Sequence, residues 1–377
     1  MKISQVVLKE LEAAPLDALA ALDPQLVLAF GSPAFFGTRA LPEALTRAFP
    51  RAHRVGCTTA GEIAGSTVGE NSLVLTAIAF EHASFATAHV TYTGTDGSRE
   101  AGRGVARELA RPGLTAMVVL GPGVDVNGSD VIAGILDVAP NVTVTGGLAG
   151  DYGAFRETFV LHDDTLLPRA VVAIGFYGDA VRLSSGSSGG WKSFGPTRCA
   201  TRASGNILHE LDGQPALDVY KRYLGPYADD LPSSGLLFPF ALLDDERHES
   251  GIIRTPLAVD ERAGTITLAG DVPQGGLLRL MHATSELLVD GAETAARDAI
   301  APQPRGGDSL ALLVSCVGRK LLMGDGVDAE VEAVGALLGE RCTLAGFYSN
   351  GEIAPIHGET AARLHNQTMT ITYLTES

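Results

Sequence analysis

The sequence predicts an α/β fold: mixed sheets built from repeated strand-helix-strand-strand units, helices on the outer faces, and a pseudo-duplicated two-domain arrangement. Three observations predict it. Apolar runs ending in glycine alternate with segments whose apolar residues recur at helical spacing. The loop Val55-Gly56-Cys57-Thr58-Thr59-Ala60-Gly61-Glu62-Ile63 returns about 290 residues later as Ala345-Gly346-Phe347-Tyr348-Ser349-Asn350-Gly351-Glu352-Ile353, with a shorter relative, Thr145 to Asp151, between them. Finally, Gly31 to Gly56 and Gly121 to Gly146 are both 25 residues apart, the mark of a shared unit.

The first unit opens with a strand over Leu26 to Phe30. A helix follows from Pro42 to Phe49, with proline in its first turn. Arg54-Val55 then leads into the Gly-Glu loop, and Leu73 to Phe80 returns. The second unit runs from the strand Ala116 to Gly121 into a helix capped by Ser129 that carries Ile132, Ile135 and Leu136. Val142 to Val144 enters a Gly-Asp loop, and Ala170 to Ile174 returns. The third unit has a strand over Leu310 to Ser315 and a helix with Val327, Val331, Val334 and Leu338 on one stripe, stopped by Gly339. Cys342 to Leu344 enters its loop. In its return strand, Thr368 to Leu374, threonines alternate with Met369, Ile371 and Tyr373, which predicts one buried face and one less so.

Two further helices are expected, Arg99 to Ala110 and Glu286 to Ile300, the latter capped by Ser285. Ser184 to Trp191 has the composition of a linker, but the sole tryptophan at its end predicts that it docks. A boundary near residue 200 divides the chain into 1–200 and 201–377.

With 377 residues, 45% of them hydrophobic, the chain can fill substantial cores. A net charge of −16, with only five lysines and no basic run, argues against nucleic acid and against an anionic membrane surface. No apolar run reaches the roughly 18 residues that span a bilayer, and the first 19 residues lack the apolar core of a signal peptide. The four cysteines form no CxxC pair and read as free thiols in a reducing cytoplasm. The expectation is a cytoplasmic protein without membrane insertion.

Several ordered motifs together resemble the FIST family of bacterial sensory proteins. The N-terminal FIST domain is matched by Gly56 to Ile63, by Gly146-Gly147-Leu148-Ala149-Gly150-Asp151, and by Trp191 to Pro196. The C-terminal domain is matched by Gly213 to Leu217 with Tyr220, by Ile253-Arg254-Thr255-Pro256-Leu257, and by Gly270-Asp271-Val272-Pro273 with Gly276. Gly346 to Ile353 and Leu364-His365-Asn366-Gln367-Thr368 complete the match. The resemblance implies a module that binds a small molecule, an amino acid or related metabolite, and signals to a partner such as a histidine kinase or cyclase. Because the chain ends at Ser377, the expected partner is a separate protein. One subgroup of the family binds haem and senses nitric oxide, which makes noncovalent haem the alternative. His365 and His282, in apolar settings, are its candidate axial ligands.

Glu62 and Glu352 are the leading candidates for ligand recognition. A glycine before each permits close backbone approach, so the carboxylate can project over a crevice and meet an amine or guanidinium. In the competing reading, each glutamate accepts N–H bonds from its own turn. The repeat predicts that the two loops face each other across a cleft. Arg254, in an apolar strand, suits a ligand carboxylate, or else an internal pair with Asp244, Asp245 or Glu246. Tyr348, Ser349 and Asn350 would line the rim, Thr58, Thr59 and Asp151 are further candidates to bind the ligand, and Trp191 would wall the pocket. Cys57 at a loop N-terminus, with His53 nearby, is the one nucleophile candidate for a thiol-dependent enzyme, although Phe347 in the sister loop shows that the repeat does not need a thiol. No metal-ligand cluster, P-loop or GxSxG elbow is present, so no metal is expected.

Overall fold

Each repeat builds a six-stranded mixed sheet and lends a hairpin to its neighbour. The computed structural model describes residues 1–302, 308–356 and 360–377. In the first repeat, the parallel pair Leu26–Gly31 and His53–Thr58 is flanked by the return strand Leu73–Ala79 and the edge strand Lys2–Leu8. The second repeat places Leu114–Gly121 beside Thr143–Leu148, then Ala170–Tyr177 and Ser84–Thr91. The third places Ser309–Cys316 beside Cys342–Ser349, then Met369–Glu376 and Val181–Ser188.

The hairpins circulate. Glu62–Ala64 and Thr67–Gly69 leave the first repeat to finish the third sheet. Gly351–Pro355 and Ala362–His365 leave the third to finish the second. Val160–His162 and Thr165–Leu167 leave the second to finish the first. The result is a pseudo-threefold ring of three sheets.

Alternation along the central strands sorts residues between two cores. Phe30, Val55, Leu120, Val172, Leu312, Val314 and Phe347 point inward, where all three sheets meet. Their neighbours point outward under helices. Val27 and Ala29 lie beneath Leu16, Leu41 and Leu45, Met117 and Val119 beneath Val105 and Ile135, and Ala311 and Leu313 beneath Leu288, Ala292 and Val331. The mixed α/β architecture with helices on the outer faces is as the sequence predicts.

The glycine opening each repeated loop has a packing cause. A Cβ at Gly56, Gly146 or Gly346 would lie 1.9 Å from the carbonyl oxygen of Ala29, Val119 or Leu313 respectively, on the parallel neighbour. Only glycine fits there. One position further, Cys57, Gly147 and Phe347 share the space around the axis, where Phe347 stacks at 4.8 Å on Phe30. Cys57 is thus a small core residue beside one large one.

An insert of about 90 residues separates the third repeat's edge strand from its helix Ser285–Ile300. Lys192–Cys199, Leu277–His282, Phe240–Leu243 and Glu249–Arg254 form one sheet, and Ile207–Leu211, Thr265–Leu268 and Pro256–Asp260 belong to another. The helix Ala216–Leu224 packs Leu217 and Tyr220 against both. Residue 200, the expected boundary, follows the strand Lys192–Cys199 inside this insert.

Ser184 to Ser188, linker-like in composition, docks as expected and does so as a strand paired with the return strand Met369–Glu376. Other local readings differ from the structure. That return strand is buried on both faces, because one faces the central core and the other the helix Ser285–Ile300. The helix caps shift by one or two residues: Asn127 accepts from Asp130 N, and Thr284 from Leu287 N.

Candidate functional site

The three glycine loops converge at one end of the pseudo-threefold axis and bond directly to one another. Ala60 N donates to Tyr348 O at 2.8 Å, Tyr348 N to Gly61 O at 2.8 Å, and Gly150 N to Thr58 O at 2.9 Å. A Cβ on Gly150 would lie 2.6 Å from Ala60 N and 2.8 Å from Tyr348 O. The expected cleft between the Gly-Glu-Ile loops is therefore absent, because backbone amides close the space.

Glu62 and Glu352 are wholly buried and serve equivalent positions. Glu62 accepts from Thr59 Oγ1 at 2.5 Å, Tyr152 OH at 2.9 Å, and the Ser72 amide and hydroxyl at 3.1 and 2.7 Å. Glu352 accepts from Ser349 Oγ at 2.8 Å and from the Thr368 amide and hydroxyl at 3.2 and 2.9 Å. Each carboxylate ties a loop hydroxyl three residues upstream to the residue that opens the return strand. Burial raises the Glu352 carboxyl to about 8 against those bonds. Val160 takes the equivalent place in the middle repeat, since it pairs with Cys57 as Glu62 pairs with Phe347. Asp151 instead caps its own turn, accepting from the amides of Phe155, Arg156 and Glu157. Thr58 Oγ1 accepts from Phe159 N, and Asn350 Nδ2 donates to Gly123 O.

Open space does occur at the seam between the insert and the third repeat. A cavity of about 310 Å³ is walled by Trp191, Ile253, Met281, Ile356, His365 and Thr368, with the Gly189-Gly190 backbone along one side. Lys192 and Glu249 line it as exposed side chains. A neighbouring cavity of about 380 Å³ shares Ile252 and Ile356 as its partition and is lined by Arg254, Asp271 and Leu364. Arg254 donates to three carbonyls, those of Asp271 at 2.9 Å, Ile253 at 3.0 Å and Leu364 at 3.1 Å, and burial pushes its guanidinium down to about 10. It bonds neither Asp244 nor Glu246, whose side chains are exposed beside His248.

Beneath the seam runs a buried polar network that sequence reasoning missed. Arg319 and Glu330 form an ion pair at 2.5 Å with no exposure of either side chain. Arg319 also donates to the carbonyls of Gly189 at 2.6 Å and Leu288 at 2.8 Å. Glu330 accepts from Tyr348 OH at 2.5 Å and Ser315 Oγ at 2.9 Å. Trp191 Nε1 donates to Gln367 O at 2.9 Å, an oxygen that Arg319 also reaches. The chain of bonds thus runs from the cavity wall to the axis loops. A signal was present in the sequence: Glu330 sits on the stripe of Val327, Val331 and Val334, and Arg319 sits among Val317, Leu321 and Leu322.

Comparison with known families matches residues 25–214 to the FIST N domain and 216–355 to the FIST C domain. The chain belongs to the FIST family. FIST domains are sensory domains of signal transduction. Among curated proteins, this FIST chain is 28% identical over 233 residues to an uncharacterised protein of Mycobacterium tuberculosis and 29% identical over 235 residues to one of Mycobacterium bovis. Each match covers 59% of this chain and 58% of the relative, so the chain spans less than two thirds of their length. Among solved structures, PurLQS from Thermotoga maritima aligns with a TM-score of 0.23 over 78% of this chain and 72% of that one, at 10% identity. A cyanuric acid hydrolase from A. caulinodans aligns with a TM-score of 0.19 over 78% and 99%, also at 10% identity.

The two histidines expected to hold haem in the alternative reading lie apart in the structure. His282 is exposed and stands edge-on to Phe194, whereas His365 is buried and lines the seam cavity. Cys57 has no exposure, burial pushes its thiol well above the ordinary value, and His53 bonds to Thr87 and Asp163 instead. Among the described residues, no group of histidine, cysteine or acidic side chains has a metal-binding arrangement. No helix of the described residues is long and apolar enough to cross a membrane.

Proposed function

We propose that this FIST protein is a sensor without catalytic activity that binds an amino acid or related small metabolite in the seam cavity and signals through a separate protein such as a histidine kinase or cyclase. The observation that carries this reading is the cavity itself, where Trp191, Ile253 and Met281 of the insert pack against the third repeat above the Arg319–Glu330 network. In this reading Trp191 walls the ligand, Thr368 carries its contact to Glu352, and Arg254 serves the adjoining chamber. Lys192 and Glu249 meet charged groups at the mouth. Glu62, Thr58, Thr59, Asp151, Tyr348 and Asn350 hold the axis loops that receive the signal. A ligand that fits the seam better in one arrangement of insert and repeat shifts the population toward it.

Trp191 is the only tryptophan, so its fluorescence reports this cavity alone. Native mass spectrometry of freshly purified protein, followed by Trp191 emission across a metabolite library, tests the proposal. A co-purifying metabolite, or a saturable change in emission that Ala241→Phe abolishes, is expected. A protein that carries nothing and responds to no compound overturns it.

A further inference from the structure

We infer that the seam cavity selects a ligand presenting a neutral N–H or O–H donor on an aromatic or compact apolar body, and that His365 Nδ1 is the acceptor that reads this donor. The inference rests on the seam cavity being the ligand site. His365 is 1% exposed and lines that cavity. Its Nε2 lies 2.9 Å from the carbonyl oxygen of Ala354. A carbonyl only accepts, so the ring proton is on Nε2, and Nδ1 is left as a bare lone pair. That nitrogen meets no hydrogen-bond partner among the described residues. A buried acceptor left unmet is costly, and a ligand donor relieves the cost.

The surroundings narrow the class. Thr368 spends its hydroxyl proton on Glu352, and Ser187 spends its own on the Pro355 carbonyl, so both offer lone pairs to the cavity. A carboxylate in this position would set acceptor against acceptor. Burial, with smaller contributions from the Arg254 and Arg363 charges, holds the His365 imidazole neutral, down to about 4, and those charges disfavour a cation beside it. The apolar walls include Trp191, Ile253, Met281 and Ile356, which suit a ring or branched apolar body. An amino-acid-like ligand would therefore enter side chain first, a phenol or indole toward His365, with its charged ends between Lys192 and Glu249.

Phenol, anisole and benzoate share one ring and differ in the group offered to His365. Titrated at pH 7 against Trp191 emission, with calorimetry as a second readout, phenol should bind about tenfold or more tightly than either of the others. In His365→Leu the phenol preference over anisole should fall to within about twofold, whereas His365→Gln, which keeps an acceptor, should retain part of it. If His365→Leu does not fold, the wild-type comparison of phenol with anisole still decides. Equal affinity for those two, or a preference for benzoate, overturns the donor inference and leaves the cavity as a binding site. If none of the three moves Trp191 and no metabolite co-purifies, the cavity reading falls as well.

Discussion

Glu330 is a carboxylate on an otherwise apolar helix stripe, and the partners that let it be there are Arg319, Tyr348 and Ser315. Breaking a fully buried ion pair leaves a charge with no compensation, which costs about 3–5 kcal/mol. Arg319→Met should therefore lower unfolding free energy by that order, read from urea denaturation, while Arg319→Met with Glu330→Met should recover most of the loss. Glu352 is a different case, because no cation bonds it directly. Its carboxyl titrates at about 8 in the folded protein against an ordinary 4.5, so the folded state holds a proton that the unfolded chain has released. The stabilisation is complete below pH 4.5 and is lost as pH rises to 8, at up to about 1.4 kcal/mol per unit. Oε1, bonded only to Ser349, is where the proton fits. Glu352→Gln keeps the shape without the charge and should flatten stability between pH 5 and 8. An unchanged slope in the variant would mean that other groups set it.

At the scale of elements, the repeat was legible because its constraints are local. The parallel strand pair must close on a glycine, so Gly56, Gly146 and Gly346 recur at fixed spacing from the strands they pack against. Gly346→Ala should destabilise by about 3 kcal/mol or more through overlap with the Leu313 carbonyl. Gly326→Ala, where a Cβ meets open space, should change thermal stability little; similar losses in both variants would show that the clash is not the cause. What the sequence hid was where the hairpins go. Gly-Glu-Ile reads as a loop motif, but Glu62–Ala64 is a strand in the sheet of another repeat, a pairing across some 280 residues that no local pattern encodes. For the same reason the loops were expected to flank a cleft. The candidate site was legible only in fragments. Trp191 and His365 were singled out separately, whereas the cavity joining them depends on an insert whose docking is purely tertiary.

Across the whole molecule, the ring is only as firm as the seams between its sheets, and the seam between the first and second sheets carries a cluster of histidines. His89, on the edge strand of the second sheet, shares a hydrogen bond of 2.9 Å with His162 of the first sheet, Nδ1 to Nδ1. Thr87 Oγ1 then joins His162 Nε2 to His53 Nδ1, each at 3.0 Å. An Nδ1 pair needs one unprotonated partner, so two imidazolium ions there would face each other proton to proton. Burial lowers the His162 pKa below 6.5, with Asp163 and Asp164 opposing the shift and His89 and His53 adding to it. Asp163 is partly occupied, since it also accepts from Arg54 N. For a base whose folded pKa is depressed, the stability is present above the unfolded value and is lost as pH falls through the folded one. The ring should accordingly loosen first at this seam below about pH 6.5. Hydrogen exchange at pH 5.5 against pH 7.5, corrected for intrinsic rates, should show lost protection concentrated in Ser84–Thr91 and Val160–His162. His162→Gln, which keeps polar bonds without the titration, should hold protection constant across that range. Uniform acid loosening of all three sheets, unchanged by the substitution, would place the sensitivity elsewhere in the ring.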